Sequence, residues 1–159
     1  MTPGLLMAAA AAAWPLTVDG YGPARIGMSQ AEVVKALHAK LTGEAIEDEK
    51  VCVEKKAAAL PGVIFMFEDA RLARVSLWSP SKVTTPRGIG LGAGADAVRR
   101  AYGKGLRSEP HHYEDLPSQY LTFWTVPGKR GVRFETNSKR RVQAIHAGTS
   151  AIQYVEGCA

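Results

Sequence analysis

Hydrophobic positions recur along this chain with two different periods, and the alternation between them lays out the elements. Val33, Val34, Leu37 and Leu41 fall at the spacing that gathers one face of an α-helix. Ser29 precedes them and Glu32 follows three residues later, the spacing of a capping box in which each side chain satisfies an orphan backbone amide. Together these predict a helix from about Ser29 to Leu41. A second stripe of Val98, Ala101 and Tyr102, closed by Gly103, predicts another from about Gly94 to Tyr102. Between and after the helices the period falls to two. Lys50–Lys55, Val63–Glu68 and Leu72–Trp78 read as strands in the first half. In the second half His112–Glu114, Tyr120–Val126, Gly131–Glu135, Arg141–His146 and Ile152–Glu156 read the same way. Pro61-Gly62, Glu68-Asp69-Ala70, Pro127-Gly128 and Thr136-Asn137-Ser138 punctuate neighbouring strands, which favours hairpins over parallel crossovers.

The two halves resemble each other. Ala24 to Leu41 aligns without gaps on Ile89 to Leu106, so that Gly27 meets Gly92, Val33 meets Val98, Ala36 meets Ala101 and Leu41 meets Leu106. Further on, Phe67-Glu68 matches Phe134-Glu135, and Arg74-Val75 is echoed by Arg141-Val142. The expected fold is therefore α+β: two helix-plus-antiparallel-meander repeats, 18–79 and 87–159, forming a curved antiparallel sheet with the helices packed on one face. Ser79 to Pro86, with two prolines, is the expected connection within one compact unit.

The order of helix then meander, used twice, resembles the β-lactamase-inhibitor-protein-like fold, which small outer-membrane assembly lipoproteins of the SmpA/OmlA type share. The resemblance rests on Ile26-Gly27-Met28-Ser29 with Glu32-Val33, and on the degenerate partner at Leu91-Gly92. More narrowly, Gly22-Pro23-Ala24-Arg25-Ile26-Gly27-Met28, Tyr102-Gly103, Gly131-Val132-Arg133-Phe134-Glu135 and the closing Tyr154-Val155-Glu156-Gly157-Cys158 are similar to a set of secreted proteobacterial proteins of uncharacterised role. These motifs cover nearly all of the chain after residue 18. They imply a fold and export, and no activity. The chain departs from the lipoproteins in having no lipobox cysteine.

Export is also expected from the first thirteen residues. Leu5 to Ala13 is an unbroken apolar run ending in an Ala-x-Ala pattern at Ala11 and Ala13, which reads as a signal peptide over 1–13 without the customary basic residue in front. The run is shorter than a spanning helix needs. The alternative is an alanine-rich helix on a cytosolic protein. In an exported chain the two cysteines, Cys52 and Cys158, are expected to pair, stapling the C-terminal segment to the first half. Two unpaired thiols or metal ligands are the alternatives.

With 46% hydrophobic and 22% charged residues the chain has the composition of an ordinary globular protein. Its net charge of +5 is uneven: residues 1–79 carry 8 basic and 9 acidic side chains, residues 80–159 carry 12 and 6. Lys129, Arg130, Arg133, Lys139, Arg140 and Arg141 supply much of the excess and are expected on one basic hairpin, which would attract anionic surfaces. A solvated strand face is the bland reading.

Candidate chemistry is sparse. His111-His112-Tyr113-Glu114-Asp115 gathers ligand-type side chains, but neighbours on a strand point to opposite faces, so no metal site is expected there. Gly88 to Gly94 superficially matches a dinucleotide fingerprint; it lacks the preceding parallel strand and the later acidic residue, so no cofactor is expected either. His38, His111, His112 and His146 are dispersed, and Glu54, Glu68, Glu135 and Glu156 read as solvated strand positions. Trp78, Tyr113, Tyr120, Phe123 and Trp124 would make an aromatic platform if they shared a face. The expected function is a periplasmic or secreted non-catalytic module that recognises a protein partner through its sheet face. The side chains expected to serve it are Trp78, Tyr113, Tyr120, Trp124, Lys129, Arg130, Arg133 and Arg140. Binding of a glycan or anionic polysaccharide through the aromatics and the basic hairpin is the alternative, and an enzyme of unrecognised type the third reading. Nucleic acid is not an expected partner.

Overall fold

Ser29 and Glu32 close the capping box from both ends: the serine hydroxyl accepts from the Glu32 amide at 3.2 Å, and the glutamate accepts from the Ser29 amide at 2.7 Å. Helix α1 follows as Gln30–Leu37 in a computed structural model that describes residues 14–43 and 51–158. It stops short of Leu41 because His38 takes a left-handed φ of 50° and turns its amide back to Lys35 and Val34. Val34 lies at the surface, while Val33 and Leu37 are buried. Helix α2 is Ala95–Tyr102, capped by Gly94 and Gly103, and buries Ala95, Val98 and Tyr102. The signal-like run at 1–13 lies outside the described residues.

Three two-residue strands missing from the sequence reading, β1 (Leu16–Thr17), β2 (Gly20–Tyr21) and β3 (Ala24–Arg25), form a small antiparallel sheet before α1. After α1 come β4 (Cys52–Lys56), β5 (Val63–Glu68) and β6 (Arg71–Leu77). After α2 come β7 (Leu106–Pro110), β8 (Gln119–Val126), β9 (Arg130–Thr136) and β10 (Val142–Gly148). These seven make one sheet in the order β4-β5-β6-β10-β9-β8-β7, with every neighbouring pair antiparallel. The fold is α+β, built from hairpins. The last strand of each meander joins the two at β6–β10.

Register gives the large sheet two unlike faces. Val63, Leu77, Ile145, Phe134 and Leu121 stand opposite one another across five strands, none more than 2% exposed. This row meets both helices in one continuous core. One residue away, on the other face, the corresponding row reads Ile64, Ser76, His146, Arg133 and Thr122. A polar row like this belongs in water by composition, yet its last four members are also buried.

Two segments expected to be strands cover it. His112–Glu114 belongs to the 111–118 loop between β7 and β8, tied by the His111 amide to the Ser118 carbonyl. Ile152–Glu156 is likewise no strand: a 3₁₀ turn, Ser150–Gln153, leads into an irregular tail. Gly148 launches this departure with φ of 143°, and a Cβ there would sit 2.2 Å from the Ala73 carbonyl oxygen. β10 already has a partner on each side, so the chain beyond it has no ladder to join and crosses the sheet face instead.

Candidate functional site

On the covered face His146 is the hub. Its ring, 2% exposed, sits between Ser76, whose Oγ is 2.7 Å from Nδ1, and Glu135, whose Oε1 is 3.1 Å from Nε2. Burial pushes Glu135 upward, but the hydrogen bond from His146 and the nearby histidines outweigh it and hold its carboxyl below the usual range. Burial depresses His146 as well, helped by the Arg74 and Arg133 charges. A neutral imidazole donating through Nε2 to an ionised Glu135 leaves Nδ1 to accept the Ser76 hydroxyl. On the far side of Glu135, His111 Nε2 stands 3.8 Å from Oε2 with no hydrogen-bond partner.

Serine, histidine and carboxylate in this order are the parts of a nucleophile with its general base. Their placement does something else, because Ser76 is 1% exposed and closed off from solvent. The network satisfies a buried carboxylate. Arg133 lies beside it in the same layer, donating to Thr122 at 3.0 Å and Glu109 at 2.9 Å and stacking on the Tyr120 ring at 4.7 Å. The His111 ring stacks on Tyr120 as well, at 4.7 Å. The 111–118 loop is thus seated on β8 and β9 by an aromatic stack, and further held by Gln143 donating to Glu114 at 3.0 Å.

Across the first half of the sheet the cover is the C-terminal strap. Arg74, 3% exposed, donates to the Ala151 and Tyr154 carbonyls at 3.0 Å each and to Glu54 at 3.1 Å. An arginine spent on carbonyls replaces the ladder that the strap lacks. The Tyr154 hydroxyl donates to Glu68. Beyond it Cys158 is bonded to Cys52 on β4, the pairing expected from sequence.

Between loop and strap opens a cleft of about 560 Å³. His112 and Tyr113 form the loop side; Tyr154, Val155 and Glu156 form the strap side; Cys52 of β4, Val51 just before it and Glu68 of β5 also line it. Val51, Tyr113, Tyr154 and Val155 are 59%, 61%, 38% and 40% exposed, half of the eight large hydrophobic side chains at the surface of the described residues. Apolar groups concentrated in one concavity with a few polar neighbours are the usual makings of a recognition surface.

The side chains singled out from sequence scatter. Tyr113 lines the cleft. Trp78 is 38% exposed, with its ring edge-on to His146 at 5.8 Å, and Trp124 is half-buried on β8. Tyr120 and Arg133 are 5% and 6% exposed, so neither is a surface group, because the 111–118 loop that takes the place of the expected His112–Glu114 strand covers them. Phe123 packs into the helix-side core against Tyr102, not with Trp124. The basic hairpin also divides. Lys129 and Arg130 lie at the β8–β9 turn, where Arg130 pairs with Asp19 at 3.5 Å, while Lys139, Arg140 and Arg141 lie at the β9–β10 turn. These turns stand at opposite ends of β9, because successive hairpins of a meander alternate ends. Glu135 is buried instead of solvated. The glycine-rich approach to α2 spends its amides internally, Gly92 donating to Val142, Ala93 to Gly90 and Ala95 to Arg140.

Sequence reasoning missed Ser76, His146 and Arg74, although a signal was present. Each is a lone polar residue between apolar neighbours on a strand, at the period that puts it on one face. Among the described residues no group of three or more His, Cys, Asp and Glu is placed to hold a metal ion, and no helix is long and apolar enough to cross a membrane. No family model matches the chain, and no curated protein or solved structure matches it.

Proposed function

We propose that this protein is an exported, non-catalytic recognition module that takes a segment of a protein partner in the cleft between the 111–118 loop and the C-terminal strap. The observation that carries this reading is the concentration there of Val51, Tyr113, Tyr154 and Val155, exposed side chains that no packing within the described chain requires. Export is supported by the signal-like run at 1–13 together with a disulfide, since such crosslinks persist in oxidising compartments. The periplasm or the exterior is the compartment we infer. The succession α1 with β4–β6 and α2 with β7–β10 supports descent from one duplicated helix-and-meander unit forming a curved sheet, in line with the aligned glycines Gly27 and Gly92. The glycan reading is weaker, because Tyr120 and Arg133 are buried and the other basic groups of the expected hairpin stand at opposite ends of β9.

The test is capture from an envelope extract with the disulfide intact, comparing the wild-type chain with Tyr113→Ala/Val155→Ser. Both positions are exposed, so the variant should melt like the wild type. Loss of the captured protein with the variant is the expected result. Capture that is unchanged by the substitutions, or that survives protease treatment of the target and weakens steeply with salt, overturns the reading in favour of a polyanionic glycan.

A further inference from the structure

The charge of the cleft runs against that of the chain. Twenty lysines and arginines give the protein its net +5, yet none of them, among the described residues, lines this concavity. Its charged members are two carboxylates, Glu68 from β5 and Glu156 from the strap, with His112 on the loop side. Arg74, the nearest buried cation to the strap, is already committed to Glu54 and to two carbonyls of the strap. Two tyrosines complete the wall. Tyr113 is the most exposed of the aromatic side chains, and Tyr154 is oriented by its hydroxyl's bond to Glu68.

Carboxylates beside aromatic rings in one cleft are the groups that select an ammonium or guanidinium. The carboxylate supplies charge-assisted hydrogen bonds, and a ring face supplies its quadrupole. The four-carbon stem of a lysine, or the three-carbon stem of an arginine, would lie along Val51 and Val155. A purely apolar occupant would offer neither Glu68 nor Glu156 a counter-charge, and an acidic one would be repelled by both.

We propose that the cleft receives a lysine or arginine side chain of an extended partner segment, held between Tyr113 and Tyr154 with Glu68 and Glu156 as counter-charges. This rests on the protein-recognition reading above and adds the chemistry of the residue recognised. It also gives a direction that overall charge alone would reverse, since a chain of net +5 acting through its general field would favour acidic segments.

A phage-displayed library of random linear peptides, selected against the full disulfide-bonded chain, tests it. Selected peptides should be enriched in lysine or arginine. Replacing that residue by norleucine should weaken binding by about tenfold, and Glu68→Gln/Glu156→Gln should do the same to the unmodified peptide, as two partly exposed ion pairs and one cation–π contact would give. Glu156→Lys, at a position already in solvent, serves as a second variant and should abolish the enrichment. Peptides that bind and are displaced by Tyr113→Ala but carry no basic preference overturn this inference and leave the protein-recognition reading standing. Basic peptides indifferent to all the glutamate substitutions also overturn it, because they bind elsewhere. Selection of no peptide at all overturns both.

Discussion

Replacing Cys52 and Cys158 together by serine opens a crosslink that spans 106 residues of sequence. In the chain-entropy treatment, closing a loop of that length in the unfolded ensemble stabilises the native state by about 4.8 kcal/mol at 25 °C. Native contacts change little, since Arg74 still holds the Ala151 and Tyr154 carbonyls and Tyr154 still reaches Glu68. The loss is therefore mostly a gain of freedom by the unfolded chain. Against a total stability of about 5–15 kcal/mol for domains of this kind it is a large fraction, corresponding to a fall in Tm of about 10–19 °C. Urea unfolding followed by circular dichroism, with and without a thiol reductant, measures it. The variant should unfold at lower urea in both buffers, and the wild type should join it only under reducing conditions. Hydrogen exchange should rise first at Tyr154–Cys158 and leave the β6–β10 ladder protected. Equal midpoints for wild type and variant in oxidising buffer would refute the reasoning, as would a gap that persists after reduction.

Arg74→Met keeps much of the volume but takes the guanidinium donor from the Tyr154 carbonyl, leaves the Ala151 carbonyl with the Tyr154 amide alone, and leaves Glu54 without its cation; a cost of about 3 kcal/mol is expected in the same urea assay, and an unchanged midpoint would show that the strap is not held through Arg74. Stability should also depend on pH with a definite sign. His146 and Glu135 both bind protons less readily folded than unfolded, so their contributions are complete above the unfolded values and decline as pH falls. For His146 the decline begins near the ordinary 6.5 and for Glu135 near 4.5, each with a slope of at most about 1.4 kcal/mol per pH unit. Urea midpoints measured from pH 8 to pH 4 should be level at first and then fall. His146→Gln should flatten the upper part of that decline, and a wild-type profile level throughout would contradict the protonation states assigned here.

Local chemistry was legible where it is self-contained. The Ser29–Glu32 pair announces its helix because both partners lie within one turn. Turn residues and two-residue alternation announce the hairpins, because each ladder forms between neighbours in sequence. The error at His38 has the same origin: apolar spacing continued to Leu41, and nothing nearby signalled a left-handed residue. Tyr120, Arg133 and Glu135 failed for another reason. An alternating strand presents a polar face, and whether that face meets water depends on segments that approach from elsewhere in the chain.

By itself, then, the amino-acid order determined two helices, antiparallel meanders and a cysteine pair suited to an oxidising compartment, since these follow from period, caps and composition. Tertiary structure alone decided that β6 joins β10, which sets Ser76 against His146 across a ladder of distant residues. It alone decided that the 111–118 loop and the strap roof the sheet's polar face and leave between them a cleft with carboxylates and tyrosines on its walls. Pairing of strands far apart in sequence is governed by which buried faces can close against each other, and that competition is settled by the whole core at once.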